Sequence, residues 1–183
     1  AGIPSIELTG GGEPMVYPYI SEFLDELSQY PIELAIVTNG ASLNEKLQSK
    51  LKNLRWIRFS VDAITPETHS KVHRVPESVF DVVLKNIGQV VSRQIEDCKV
   101  GISFVITQHN HQEIEEAASY YKNMGVDSIR YTFTYDPEGE GALSLDVARQ
   151  AERAMNHARS LQDENFKVFG TMRRLEFYSQ PNT

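Results

Sequence analysis

The 183-residue sequence contains a single cysteine, Cys98. That count excludes a disulfide within the chain and any zinc or iron–sulfur centre built from several cysteines of this chain alone. Basic side chains are in the minority: 18 Lys and Arg stand against 25 Asp and Glu, a formal charge of −7 with neutral histidines. A chain so balanced is poorly suited to counterion-release binding, and nucleic acid is not an expected partner. Long apolar runs are missing as well. No stretch approaches the roughly 20 residues of a membrane helix, and no basic N-terminal segment leads into an apolar one. These absences point to a soluble protein of a reducing compartment, expected in the cytoplasm, with no membrane partner.

What is present is ordinary for a globular chain: 40% hydrophobic and 23% charged residues, with 11 glycines and 8 prolines. A chain of this length can bury roughly 70% of its unfolded surface as one domain. Short β-branched or aromatic runs alternate about five times with longer segments of helical period, the rhythm of βα units. The predicted strands cover residues 5 to 9, 34 to 37, 56 to 62, 100 to 107 and 128 to 133.

The first predicted helix carries Ile20, Phe23, Leu24 and Leu27 on one face. The second opens with a capping box of Ser42 and Glu45, followed by the stripe Leu43, Leu47 and Leu51. Pro76 introduces a third with Val79, Val82, Val83, Ile87 and Val90 inward. Asn110 and Glu113 start a fourth, which buries Ile114, Ala117, Ala118 and Tyr121 and stops at Gly125. A C-terminal helix over residues 144 to 163 has the stripe Val147, Ala151, Ala154, Ala158 and Leu161. Residues 134 to 142 read as a loop, and the tail from Phe166 carries no clear pattern. With no internal linker, residues 1–183 read as one α/β domain with parallel strands, either doubly wound or part of a (β/α) TIM-type barrel.

Parallel strands covered on both faces should be almost continuously apolar. These alternate instead: Ile6 and Leu8 with Glu7 and Thr9; Ile57, Phe59 and Val61 with Arg58, Ser60 and Asp62; and Ile129, Tyr131 and Phe133 with Arg130 and Thr132. Ionised groups are costly to bury unpaired. A face bearing Glu7, Arg58, Asp62 and Arg130 therefore suggests a barrel lumen that is wet or filled by a ligand. An internal salt-bridge network, or an antiparallel sheet with one solvated face, would give the same pattern.

Three local features could carry chemistry. Thr9-Gly10-Gly11-Gly12-Glu13-Pro14 lies between a strand and a helix, where glycines let backbone approach a ligand. Glu13 would repel a phosphate there but would accept hydrogen bonds from an ammonium; a flexible turn ending in a helix-start glutamate is the plainer alternative. Ser60 and Asp62 place a hydroxyl and a carboxylate on one face at a strand end, a pair suited to a vicinal diol, although such an aspartate can also cap the next helix. Arg74 offers a planar fork for a carboxylate, or is simply a surface arginine. His69 with His73, and His109 with His111, lack a carboxylate at a metalloprotease spacing and read as loop histidines near helix starts.

The order of these motifs, continuing through Val37-Thr38-Asn39-Gly40, Ser60-Val61-Asp62-Ala63, His73-Arg74, Phe80 and Asn86-Ile87, resembles the radical S-adenosylmethionine (radical SAM) enzymes over about residues 6 to 133. The resemblance implies the second to sixth strands of a partial (β/α) barrel. It further implies that Gly11, Gly12 and Glu13 bind the methionine ammonium, Arg74 the carboxylate, and Ser60 and Asp62 the ribose, with Thr107, Asn110 and Tyr131 near adenine. The implied cofactors are S-adenosylmethionine and a four-iron four-sulfur cluster, the implied partners an electron donor and a peptide or small-molecule substrate.

One element of that family's pattern is missing: the Cys-x-x-x-Cys-x-x-Cys cluster motif does not occur, and lone Cys98 cannot replace it. The chain begins where the family's second strand would, so the expectation is a segment truncated at its N-terminus and inactive by itself. Two other functions fit the same residues. A cluster-free (β/α) barrel lyase or isomerase would use Glu13 or Asp62 as base, and a non-catalytic nucleoside-binding module would keep only the pocket.

Overall fold

The structure is a computed structural model in which residues 2–133 and 143–170 are described. Six parallel strands, β1 (Ser5–Leu8), β2 (Glu33–Thr38), β3 (Leu54–Ser60), β4 (Lys99–Ile106), β5 (Ser128–Phe133) and β6 (Lys167–Gly170), lie side by side in chain order. A doubly wound sheet reverses its strand order at a switch point. This one does not, so of the two parallel architectures the barrel type is the one formed. It is open, because β1 and β6 are edges and do not pair with each other among the described residues.

Helices cover the outer face: α1 (Ile20–Leu27), α2 (Glu45–Gln48), α3 (Pro66–His73), α4 (Ser78–Ser92), α5 (Ile114–Asn123) and α6 (Leu145–Ala158). Leu24, Leu47, Val83, Ile87, Ile114 and Ala117 are buried there against Ile36, Ile57, Phe59, Ile102, Phe104 and Ile129 of the strands. Each large apolar side chain so buried contributes about 1.5–3 kcal/mol. The small residues Ala148, Ala151 and Ala158 let α6 pack closely against α5. None of the helices is long and apolar enough to cross a membrane among the described residues.

Register settles the polar face. Val37, Arg58, Gly101, Ser128 and Lys167 pair across five strands, and one row nearer the strand ends Ser60 pairs with Ser103, Ser103 with Arg130, and Arg130 with Phe169. Their alternates, such as Phe59, Ile102, Ile129 and Val168, are buried under the helices. Glu7, Arg58 and Arg130 thus share the concave face as their alternation predicts, and the polar residues line a hollow rather than a buried salt-bridge network.

Several local expectations are corrected. The cap of α2 is Asn44, whose Oδ1 accepts from the Leu47 amide at 3.1 Å, in place of the Ser42 and Glu45 box. Val82 of α4 is 45% exposed, and the inward positions go to Phe80 and Asn86 alongside Val83, Ile87 and Val90. Asn110 and Glu113 do not cap α5; Asn110 binds Thr107, and Glu113 accepts from the Ile64 amide at 2.8 Å. Two elements were not legible. Helix α3 buries only His69, so it shows no apolar stripe, although Thr65 caps it and Pro66 opens it. Strand β6 has four residues, half of them exposed. The expected loop at 134 to 142 lies outside the described residues.

Candidate functional site

The C-terminal ends of β1 to β4 bring most of the expected residues to one rim of the open barrel. After β1, Gly10, Gly11 and Gly12 have φ of +69°, +66° and +136°, backbone that L side chains rarely adopt. A Cβ at any of the three would meet nothing within 4 Å, so the glycines are required by the path of the chain rather than by a crowded neighbour. Glu13 follows and is held firmly. Its Oε1 accepts from the Met15 amide at 3.0 Å and from the Thr38 hydroxyl at 2.6 Å, and its Oε2 accepts from the Asn39 amide at 2.6 Å. A carboxylate has about four acceptor positions, so one on Oε2 remains for an incoming donor.

Thr38 and Asn39 stand in the sequence only as part of a motif, and in the structure both donate to that carboxylate and fix its orientation. Thr38 in turn accepts from the Gly40 amide at 3.0 Å, and buried Asn86 of α4 donates to the Gly40 carbonyl at 2.7 Å. An asparagine inside an otherwise apolar helix stripe was the available signal for this tie.

Asp62 departs from its expected place. It lies two residues beyond β3 with φ of +57°, a turn that takes its side chain out of the alternation with Ser60. Only 6% of the residue is exposed. Its Oδ1 accepts from the Val105 amide at 2.6 Å, and its Oδ2 lies 3.3 Å from His73 Nε2, which is also 3.0 Å from the Val61 carbonyl oxygen. The carboxylate therefore joins the ends of β3 and β4 to α3. Ser60 stays on the concave face, paired in register with Ser103.

Behind Asp62 sits His69, not in a loop but in α3, its ring 4.6 Å from that of His73 and 5.4 Å from that of Phe80. Burial first, then the neighbouring His73, lowers its pKa to about 4. Burial also works against the charged form of His73, but the hydrogen bond and charge of Asp62, with the Val61 carbonyl, outweigh it and raise its pKa. Arg74 ends α3 in the left-handed conformation, φ +56°, with an exposed side chain.

Thr107 and Asn110 are brought together beyond β4. Asn110 accepts from the Thr107 amide at 2.7 Å and hydroxyl at 3.2 Å, and donates to the Asp62 and Val105 carbonyls at 2.8 and 2.9 Å. All its capacity is used, which makes it a brace for the rim. Tyr131 is not at the rim. Register puts it on the helix face beside Phe104, and its hydroxyl donates to the Ile114 carbonyl of α5, so the expectation of an adenine contact is corrected.

The residues suit an amino-acid nucleoside: acceptors for an ammonium at Glu13 and the glycine turn, a guanidinium at Arg74, and a hydroxyl at Ser60. They do not suit a four-iron four-sulfur cluster. No group of three His, Cys, Asp or Glu able to hold a metal exists among the described residues. Cys98 precedes β4 at the opposite end of the sheet, where burial and then Asp127 push its thiol up to about 11.

Fold and site together define an open (β/α) barrel with a polar rim at the C-terminal strand ends. The Radical SAM superfamily model matches residues 5–121, and the chain belongs to that superfamily, whose members use S-adenosylmethionine and a four-iron four-sulfur cluster. It is 32% identical over 133 residues to GTP 3',8-cyclase of Aquifex aeolicus, covering 68% of this chain and 39% of that enzyme. It is 27% identical over 135 residues to the mycofactocin maturase of Mycobacterium ulcerans, covering 73% and 35%. The crystal structure of Streptococcus suis SuiB bound to S-adenosylmethionine superposes with a TM-score of 0.71 at 17% identity, covering 96% of this chain and 39% of SuiB, and SuiB has also been solved with the precursor peptide SuiA. The chain thus spans well under half the length of these relatives.

Proposed function

We propose that this chain is the barrel part of a larger radical enzyme and holds S-adenosylmethionine at the C-terminal strand ends. With a reduced cluster bound, the pair would supply one-electron cleavage of the cofactor to a 5′-deoxyadenosyl radical able to take a substrate hydrogen, while the residues of this chain bind and orient the cofactor. The observation that carries the reading is the carboxylate of Glu13, tied by three donors with one acceptor position left beside a left-handed glycine turn. Gly11 and Gly12 bring carbonyls to the methionine ammonium, Glu13 accepts from it, Arg74 takes the carboxylate, and Ser60 takes a ribose hydroxyl. Asp62, Asn110 and Thr107 hold the rim in place, Asp62 by fixing β4 to α3.

The cluster ligands and the electron donor belong to parts outside this sequence, so the chain alone is inactive in this reading. A peptide or a small molecule would reach the cofactor across the concave face. The test is anaerobic, with a reductant, S-adenosylmethionine, and a longer protein that supplies three closely spaced cysteines. Formation of 5′-deoxyadenosine that falls at least about tenfold in Glu13→Ala is expected. Turnover of any substrate by the chain itself without iron would instead favour a cluster-free lyase or isomerase.

A further inference from the structure

The concave face carries cations that the rim does not use. Arg58 of β3 and Arg130 of β5 both point onto it, two strands apart and one row apart. The strand between them is β4, where Gly101 pairs with Arg58 and offers no side chain; a Cβ there would lie 2.8 Å from the Ser128 hydroxyl. The two guanidiniums are close enough that Arg130 opposes the charge of Arg58, while the carboxylate of Glu7 supports it. Arg58 stacks over Trp56, 4.9 Å from its ring centre. Neither arginine makes an ion pair or a hydrogen bond among the described residues, whereas the nearby Lys99 is paired with Asp127 and Lys167 donates to the Asp163 carbonyl. Arg58 lines a hollow of about 350 Å³ with Trp56, Asp127, Ser128, Glu164 and Lys167, and Arg130 stands on the same face one row nearer the strand ends.

Arg58 and Arg130 repel each other, Glu7 offsets only part of the charge of Arg58 and Asp127 is taken by Lys99, so a bound anion would relieve the repulsion that remains. The two guanidinium forks suit the paired oxygens of a carboxylate or phosphate. Ser60, Ser103, Ser128 and Thr132 on the same face add hydroxyl donors, while Trp56 and Phe169, the latter 50% exposed, add ring surface. We infer that Arg58 and Arg130 form an oxyanion subsite in the hollow of the barrel, which takes a carboxylate or phosphate group of the substrate and orients the substrate beneath the cofactor. This rests on the reading of the rim as the cofactor site, since Ser60 stands one row above Arg58 on the same strand.

The test titrates the full chain with inorganic phosphate, pyrophosphate and succinate at low ionic strength, following the Nε–H resonances of both arginines by NMR, and titrates S-adenosylmethionine in parallel. Saturable shifts of both resonances are expected. Phosphate and pyrophosphate acting alone identify a phosphate subsite, and succinate acting alone a carboxylate one. Arg58→Gln and Arg130→Gln should each weaken binding about tenfold or more, the loss of one charge-assisted bond. Arg130→Lys should recover part of it, and Arg149→Gln on the outside of α6 should change nothing; melting curves confirm that each variant is folded.

No saturable shift with any probe, or shifts indifferent to both substitutions, overturns the subsite. So does loss of S-adenosylmethionine affinity in the glutamine variants without anion binding in the parent, which would assign the arginines to the cofactor. Anion binding by a chain that does not take S-adenosylmethionine would overturn the reading of the rim and leave the subsite standing.

Discussion

At the residue scale, the Asp62, His73 and His69 cluster makes stability depend on pH in both directions. His69 has a folded pKa of about 4 against an ordinary 6.5, so the unfolded chain binds more protons between those values and stability is lost as pH falls through them. At about 1.4 kcal/mol per pKa unit this amounts to roughly 3 kcal/mol. His73 has the opposite sign. Its folded pKa is raised, so the stability it contributes is complete below the unfolded value and is lost as pH rises through the folded one. Melting temperatures measured from pH 4 to 9 should therefore peak near neutrality, with His69→Leu flattening the acid side.

Asp62→Ala should flatten the alkaline side and cost about 2–4 kcal/mol, because it leaves the Val105 amide without an acceptor and His73 without its counter-charge. An unchanged pH profile in either variant would show that these groups do not govern it.

At the scale of elements, the glycine turns separate stability from binding. Gly40 has φ of +78°, and a Cβ there would approach Phe59 to 2.8 Å, so Gly40→Ala combines strain with overpacking and should cost about 2–4 kcal/mol in denaturant unfolding. Gly11→Ala meets only the conformational penalty, about 1–2 kcal/mol, but displaces the turn beside Glu13 and should weaken S-adenosylmethionine binding more than Gly40→Ala does. Equal effects of the two substitutions on affinity would show that the turn is not at the site.

The same elements show what was legible in the sequence. Strands with one polar face announced themselves through period two, and Arg58, Ser60 and Arg130 lie where that alternation puts them. Asp62 does not, since a single left-handed residue past a strand end breaks the alternation and leaves no sign in composition. Helix α3 and strand β6 escaped because each buries too little apolar surface to show a period. Tyr131 shares the parity of Ile129 and Phe133, which puts it under the helices although its strand ends at the rim.

At the scale of the whole molecule, an open barrel in chain order leaves β1 and β6 each paired on one side among the described residues, while β3 and β4 are paired on both. Amide hydrogen exchange should be slowest in β3 and β4 and fastest in the edge strands, since the edges have fewer neighbours to unpack. Comparable protection of β1 and β3 would mean that another surface covers the edge. The concave face remains a hollow lined by Arg58, Trp56 and Lys99 rather than a packed lumen, the arrangement expected where a substrate enters between strands.

The central claim is that the rim holds S-adenosylmethionine through Glu13 and the glycine turn. Calorimetric titration of the chain with S-adenosylmethionine, repeated with Glu13→Gln, tests it most directly. The amide would set an NH2 group against the Asn39 or Met15 amide and lose the charge facing the ammonium, so saturable binding should weaken about tenfold or more. Equal affinity in the two proteins, each folded, would contradict the account.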